Sequence, residues 1–128
     1  TVALLGRVSL FAGCTTSELE ALATTAYPVS FEPGDRLCVE GGEALECYVI
    51  AEGEATVTIG GRIVSTVGEN RVVGERGPLE GRARTATVTA TTHMTTWAIS
   101  RARLLGIAAG SAAAADRMYE EIHRRYAD

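Results

Sequence analysis

Lysine and glutamine are absent from this 128-residue chain, and all twelve basic side chains are arginine. With alanine abundant, the composition reads as the codon usage of a GC-rich bacterial genome, and it makes every cation a planar, multi-donor fork. A broad positive surface is also lacking: the net charge is -4 and the pI near 5.2, which argues against binding of a nucleic-acid backbone by this segment. Any anion site must be local. There are three cysteines, Cys14, Cys38 and Cys47, with no CxxC pair and no His-linked metal spacing, so a reduced, cytoplasmic chain is expected. Only two histidines are present, His93 near a strand edge and His123 on a polar helix face. A metalloenzyme built on a small barrel needs clustered histidine and carboxylate ligands, so we expect no metal site, no cofactor, no catalytic residues and no enzyme activity. No apolar run approaches the ~18–20 residues of a membrane span, and no charged start precedes an apolar stretch, so no membrane partner is expected.

What is present is an ordinary globular composition, 46% hydrophobic and 22% charged, in a chain of one-domain size; this excludes a disordered or fibrous chain. The first 26 residues read as a helical segment: Leu4, Leu5, Val8 and Leu10-Phe11 precede "TTSELEALATTA", where Thr15 and Glu18 have capping-box spacing and Leu19 and Leu22 supply an inward stripe. From 27 to 99, short Val/Ile/Thr runs alternate with Gly-containing turns, giving strands near 27–31, 36–39, 46–51, 54–59, 62–67, 71–73, 84–91 and 94–99. The fold class is therefore mainly β, an eight-stranded antiparallel roll of jelly-roll type with flanking helices. Residues 100–128 read as two helices, capped by Ser100 and Ser111, the second with Ala115, Met118, Tyr119, Ile122 and Tyr126 on one face. The absence of an initial methionine suggests a piece of a larger protein.

The segment "GERGPLEGRARTATV", residues 74 to 88, concentrates backbone freedom beside arginines. Pro78 suits the first turn of a helix, so "ERGPLE" can form a short turn whose amides, with the fork of Arg84 at the start of the next strand, would hold one phosphate. The alternative is a surface loop in which Glu75 and Glu80 pair weakly with Arg76, Arg82 and Arg84.

The same residues resemble the phosphate-binding cassette of cyclic nucleotide-binding domains, the family of bacterial catabolite activators and regulatory subunits of cyclic-nucleotide-dependent kinases. Its pattern is matched by Val73-Gly74-Glu75-Arg76-Gly77-Pro78 and Arg84-Thr85-Ala86-Thr87-Val88, by the glycine-punctuated "FEPGDRLCVEGGEALECYVIAEGEATV", by "VSLFAGCTTSELEALA" and by Trp97 to Leu105. The resemblance implies that Glu75 accepts a ribose 2′-hydroxyl, Arg84 binds the exocyclic oxygens of the cyclic phosphate, the amides of Gly77 and Thr85 donate to the same phosphate, and Gly74 lets backbone pass close to the sugar. A buried Glu75 is expected to stand beside Arg84 as its counter-charge. Val64, Val67 and Val73 are candidates for pocket lining. Tyr119 and Tyr126 are candidates for a lid over the base, or for a docking or homodimer surface on the C-terminal helix. Arg76 and Gly77-Pro78 depart from the family's apolar and small residues, which leaves Arg76 to point outward or to supply a second cation. Thr85 after Arg84 suits cGMP as well as cAMP.

The implied function is a regulatory sensing module that binds a cyclic nucleotide and switches an attached effector domain or partner protein. The alternative is a degenerate roll acting as a ligand-independent interaction module.

Overall fold

The computed structural model describes residues 1–126, the side chain of Tyr126 excepted. Eight antiparallel strands form two four-stranded sheets between N- and C-terminal helices, as the turn spacing predicted. One sheet runs β1(Tyr27–Phe31), β8(Met94–Ser100), β3(Glu46–Glu52), β6(Val72–Val73); the other runs β2(Arg36–Cys38), β7(Thr87–Ala90), β4(Ala55–Ile59), β5(Arg62–Val67). Strand seven starts at Thr87 rather than at residue 84. Arg84 precedes it in a loop, where its backbone exchanges hydrogen bonds with Gly41 and Gly42 (Gly41 N–H to Arg84 O 2.9 Å, Arg84 N–H to Gly42 O 3.0 Å).

The roll has two cores, and β3 belongs to both. Side chains alternate across a strand, so the unbroken run Cys47-Tyr48-Val49-Ile50 is read as buried on both faces. Tyr48 and Ile50 point between the sheets, where they meet Leu37, Ala55, Val88 and Met94; Phe31 packs edge-on against the Tyr48 ring. Cys47 and Val49 point the other way, into a layer formed by the helices.

Those helices are α1(Val2–Gly6), a 3-10 turn at Ser9–Phe11, α2(Thr16–Thr25), α4(Arg101–Gly110) and α5(Ala112–Tyr126). Thr15 and Glu18 close the capping box on α2, with the Thr15 N–H 2.8 Å from the Glu18 carboxylate. The hydroxyls of Ser100 and Ser111 cap α4 and α5. Leu5, Leu10, Phe11, Leu22, Leu104 and Met118 are fully buried against the outer face of the first sheet. Each buried side chain of this size is worth roughly 1.5–3 kcal/mol against leaving it in water, so the helices are held firmly on the roll. The inward face of α5 is centred on Ala114, Met118 and Ile122 with Glu121, rotated from the predicted stripe, because it packs against both α4 and the 3-10 turn; Tyr119 stays partly exposed.

α3(Arg76–Glu80) carries the chain from the edge of one sheet toward the other. It starts where β6 ends and stops at Gly81, whose left-handed φ of 67° breaks the helix.

Candidate functional site

A cavity of about 610 Å3 lies beside the junction of β6 and α3. Its floor is the cassette from Val73 to Gly77 together with Arg84 and Thr85, and one wall is the twisted β4–β5 hairpin, which contributes Val64 and Val67. The structure thus brings Gly74, Glu75, Gly77, Arg84, Thr85, Val64, Val67 and Val73 around one space.

Gly74 makes the turn from β6 into α3 with φ at 76°, and a side chain there would collide with Arg84 and Cys38. Gly77 is equally tight, since a Cβ would run into Ala44 and the Arg82 carbonyl. Pro78 is buried within the single helical turn, at its third position. Arg76 points along the helix to Glu80, with Nε 2.6 Å from Oε1, and Glu80 is also 3.7 Å from Arg82. Of the pairs expected in a surface loop, Glu80 makes those to Arg76 and Arg82, while Glu75 is 1% exposed and lines the cavity.

Arg84 is 9% exposed. Its Nη1 donates to the Gly74 carbonyl at 2.7 Å and its Nη2 to the Glu46 carbonyl at 2.6 Å. No carboxylate pairs with it among the described residues, so the expected Glu75–Arg84 pair does not form. Glu75 pairs instead with Arg125, whose Nη1 lies 2.9 Å from Oε1. The reason is geometric: Arg84 approaches along the backbone of Gly74, whereas Arg125 drops onto Glu75 from α5 and also donates to the Val72 carbonyl at 3.4 Å.

Arg125 was missed in the sequence because it reads as one of several charges on the polar face of a helix. The Tyr119 hydroxyl donates to the Leu79 carbonyl at 3.1 Å and stays outside the cavity lining, so here Tyr119 docks α5 on α3. The side chain of Tyr126 lies outside the described residues. Cys38 lies in the cavity floor, its thiol pushed up to about 11 by burial against the opposing pull of Arg84. All three cysteines are free. Among the described residues no cluster of potential metal ligands occurs, and no helix is long and apolar enough to cross a membrane.

The model of the cyclic nucleotide-binding domain matches residues 28–111. Among solved structures, the chain is similar to the regulatory domain of Toxoplasma gondii PKA crystallised with cAMP, at 25% identity and a TM-score of 0.79 over 83% of this chain and 42% of that one. It is also similar to the regulatory subunit of a cAMP-independent protein kinase A from Trypanosoma brucei, at 31% identity and a TM-score of 0.73 over 78% of this chain and 37% of that one. The sensor domain of the transcriptional regulator DNR from Pseudomonas aeruginosa shares the fold, with a TM-score of 0.85 over 100% of this chain and 94% of that one at 17% identity. The chain spans less than half the length of the two kinase regulatory chains. A family match across the roll and into α4, on a fold that sets Glu75 and Arg84 at one cavity, leads to one assignment: the chain belongs to the cyclic nucleotide-binding domain family.

Proposed function

We propose that this cavity binds a cyclic nucleotide, cAMP or cGMP, and that the domain reports its occupancy to an attached effector domain or partner. The observation that carries this reading is Arg84, a buried cation with no carboxylate partner among the described residues. Two carbonyls fix the guanidinium but do not neutralise it, and an uncompensated buried charge is costly, so the arrangement favours an incoming anion. Three of its five N–H donors remain for that anion. A cyclic phosphate carries a single negative charge, which one arginine and the nearby amides of Gly77 and Thr85 match without a basic surface. A cavity of about 610 Å3 falls within the ~300–1,000 Å3 of small-molecule sites.

The parts divide as follows. Glu75 accepts the ribose 2′-hydroxyl; a carboxylate offers about four lone-pair positions, so it can serve both Arg125 and the ligand. Gly74 admits the sugar close to the backbone, and Val64, Val67 and Val73 contact the base. The Toxoplasma gondii relative crystallised with cAMP supports the ligand class. A small ligand-sensing role without catalysis, in the cytoplasm where cyclic nucleotides act, accords with free thiols and this site. The exposed face of α5 is the surface offered to an attached domain, a partner or a second copy.

Isothermal titration calorimetry with cAMP and cGMP tests the reading. Micromolar or tighter binding, weakened roughly 100-fold or more in Arg84→Ala, is expected; absence of heat with either nucleotide would overturn it and favour a ligand-independent module.

A further inference from the structure

One guanidinium stands between two buried carboxylates. Arg125 reaches Glu75 with Nη1 at 2.9 Å and faces Glu121 with Nε at 3.5 Å from Oε1. Glu75 is 1% and Glu121 3% exposed. The same Oε1 of Glu121 accepts the Ser9 hydroxyl at 2.7 Å, while Arg117 Nε donates to the Ser9 carbonyl at 3.2 Å and Arg124 bonds the other Glu121 oxygen. A continuous polar path therefore runs from the cavity, along α5 from Arg125 to Glu121, to Ser9 in the 3-10 turn. Taking Arg125 away would leave Glu75 without this cation and weaken the set around Glu121, and buried carboxylates tolerate neither cheaply.

We propose that Arg125 is a positioning residue of the site, acting on the ligand through Glu75 and tying the cavity to Ser9 through Glu121. Resting on the nucleotide reading, this assigns Arg125 a specific duty: it holds the Glu75 carboxylate where a ribose 2′-hydroxyl can donate to it. Ligand and Arg125 then share one carboxylate, and whatever the ligand does to that carboxylate is felt at the guanidinium. Because coupling between sites is reciprocal, anchoring of the 3-10 turn in turn favours an ordered Glu75.

The test compares wild type, Arg125→Met and Arg125→Lys by calorimetry against cAMP, cGMP and their 2′-deoxy analogues. Arg125→Met is expected to weaken the ribonucleotide about tenfold while leaving the 2′-deoxy compound nearly unchanged, so that their affinity ratio collapses, with Arg125→Lys in between. A general loss of structure would lower both equally, and an unchanged ratio overturns the positioning role. Amide hydrogen exchange on the ligand-free proteins reads the second half of the path. The N–H groups of Phe11 and Ala12, which close the 3-10 turn on Val8 and Ser9, should exchange faster in Arg125→Met and in Glu121→Gln than in wild type. Unchanged exchange overturns the tie to Ser9. Should wild type bind none of the nucleotides, the nucleotide reading and the positioning role fall together, and the exchange arm alone decides the tie to Ser9.

Discussion

Gly74 and Arg84 can be neighbours only because position 74 has no side chain: a Cβ there would sit 2.5 Å from the Arg84 Nη1. The positive φ of Gly74 turns its carbonyl onto the same nitrogen, at 2.7 Å. One residue thus supplies both the clearance and the acceptor that place the Arg84 guanidinium.

Gly74→Ala is therefore expected to strain the turn and push Arg84 aside. Strain at a left-handed position costs about 1–2 kcal/mol, to which the steric displacement adds. Urea unfolding should show the loss of stability, and calorimetry a loss of nucleotide affinity larger than that produced by Val64→Ala at the cavity mouth.

Arg84→Ala removes the cation proposed to meet the phosphate and leaves two carbonyls, of Gly74 and Glu46, without their donor. The stability cost is expected at about 1–3 kcal/mol and the affinity cost at roughly 100-fold or more. Arg84→Lys keeps the charge but cannot span both carbonyls and a phosphate together. It should recover only part of the affinity, as measured by titration at temperatures where both variants are folded.

Tyr119→Phe deletes the hydroxyl that bonds the Leu79 carbonyl. A loss of about 1 kcal/mol in thermal or chemical unfolding is expected, with nucleotide affinity unchanged, because the ring stays outside the cavity lining. A large loss of affinity in this variant would instead assign Tyr119 to the lid.

Burial by itself would raise the carboxyl pKa of Glu121, but the Ser9 hydroxyl and then Arg124 and Arg125 outweigh it and hold it below the ordinary carboxylate range. A group whose native pKa is depressed stabilises the fold above its unfolded value of about 4.3, and this contribution is lost as the pH falls through the native pKa. Glu121→Gln should accordingly be destabilised at neutral pH by about 2 kcal/mol, and its deficit against wild type should shrink as the pH drops below about 4. Thermal unfolding across pH 3 to 7 reads this directly.

The Cys38 thiol, at about 11, is almost wholly protonated near neutrality. At pH 8 roughly one molecule in 1,000 carries the thiolate, so alkylation of Cys38 by iodoacetamide should be slow compared with an unfolded control. Mass spectrometry of the native and urea-treated protein gives the comparison.

Much of this was legible in sequence because it is local. The capping box of Thr15 and Glu18, the hydroxyl caps of Ser100 and Ser111 and the alternation of turns with Val/Ile/Thr runs are set by residues a few positions apart. The cassette glycines were legible for the same reason, since a positive φ or a close approach selects glycine at the position itself. The start of β7 was misplaced because the Thr/Val run suggests extension from residue 84, whereas tertiary bonds to Gly41 and Gly42 hold Arg84 in a loop.

What the sequence determined by itself, then, is the roll, its helical flanks and the residue types at the floor of the cavity. Only the tertiary structure decided the partners. Glu75 and Arg84 are nine positions apart and of opposite charge, yet Arg84 is spent on the carbonyls of Gly74 and Glu46, and Glu75 is met by Arg125 from fifty positions along the chain. Ion pairs and long side-chain hydrogen bonds depend on distances of a few ångströms that arise when separate elements pack, and no periodicity along one element encodes them.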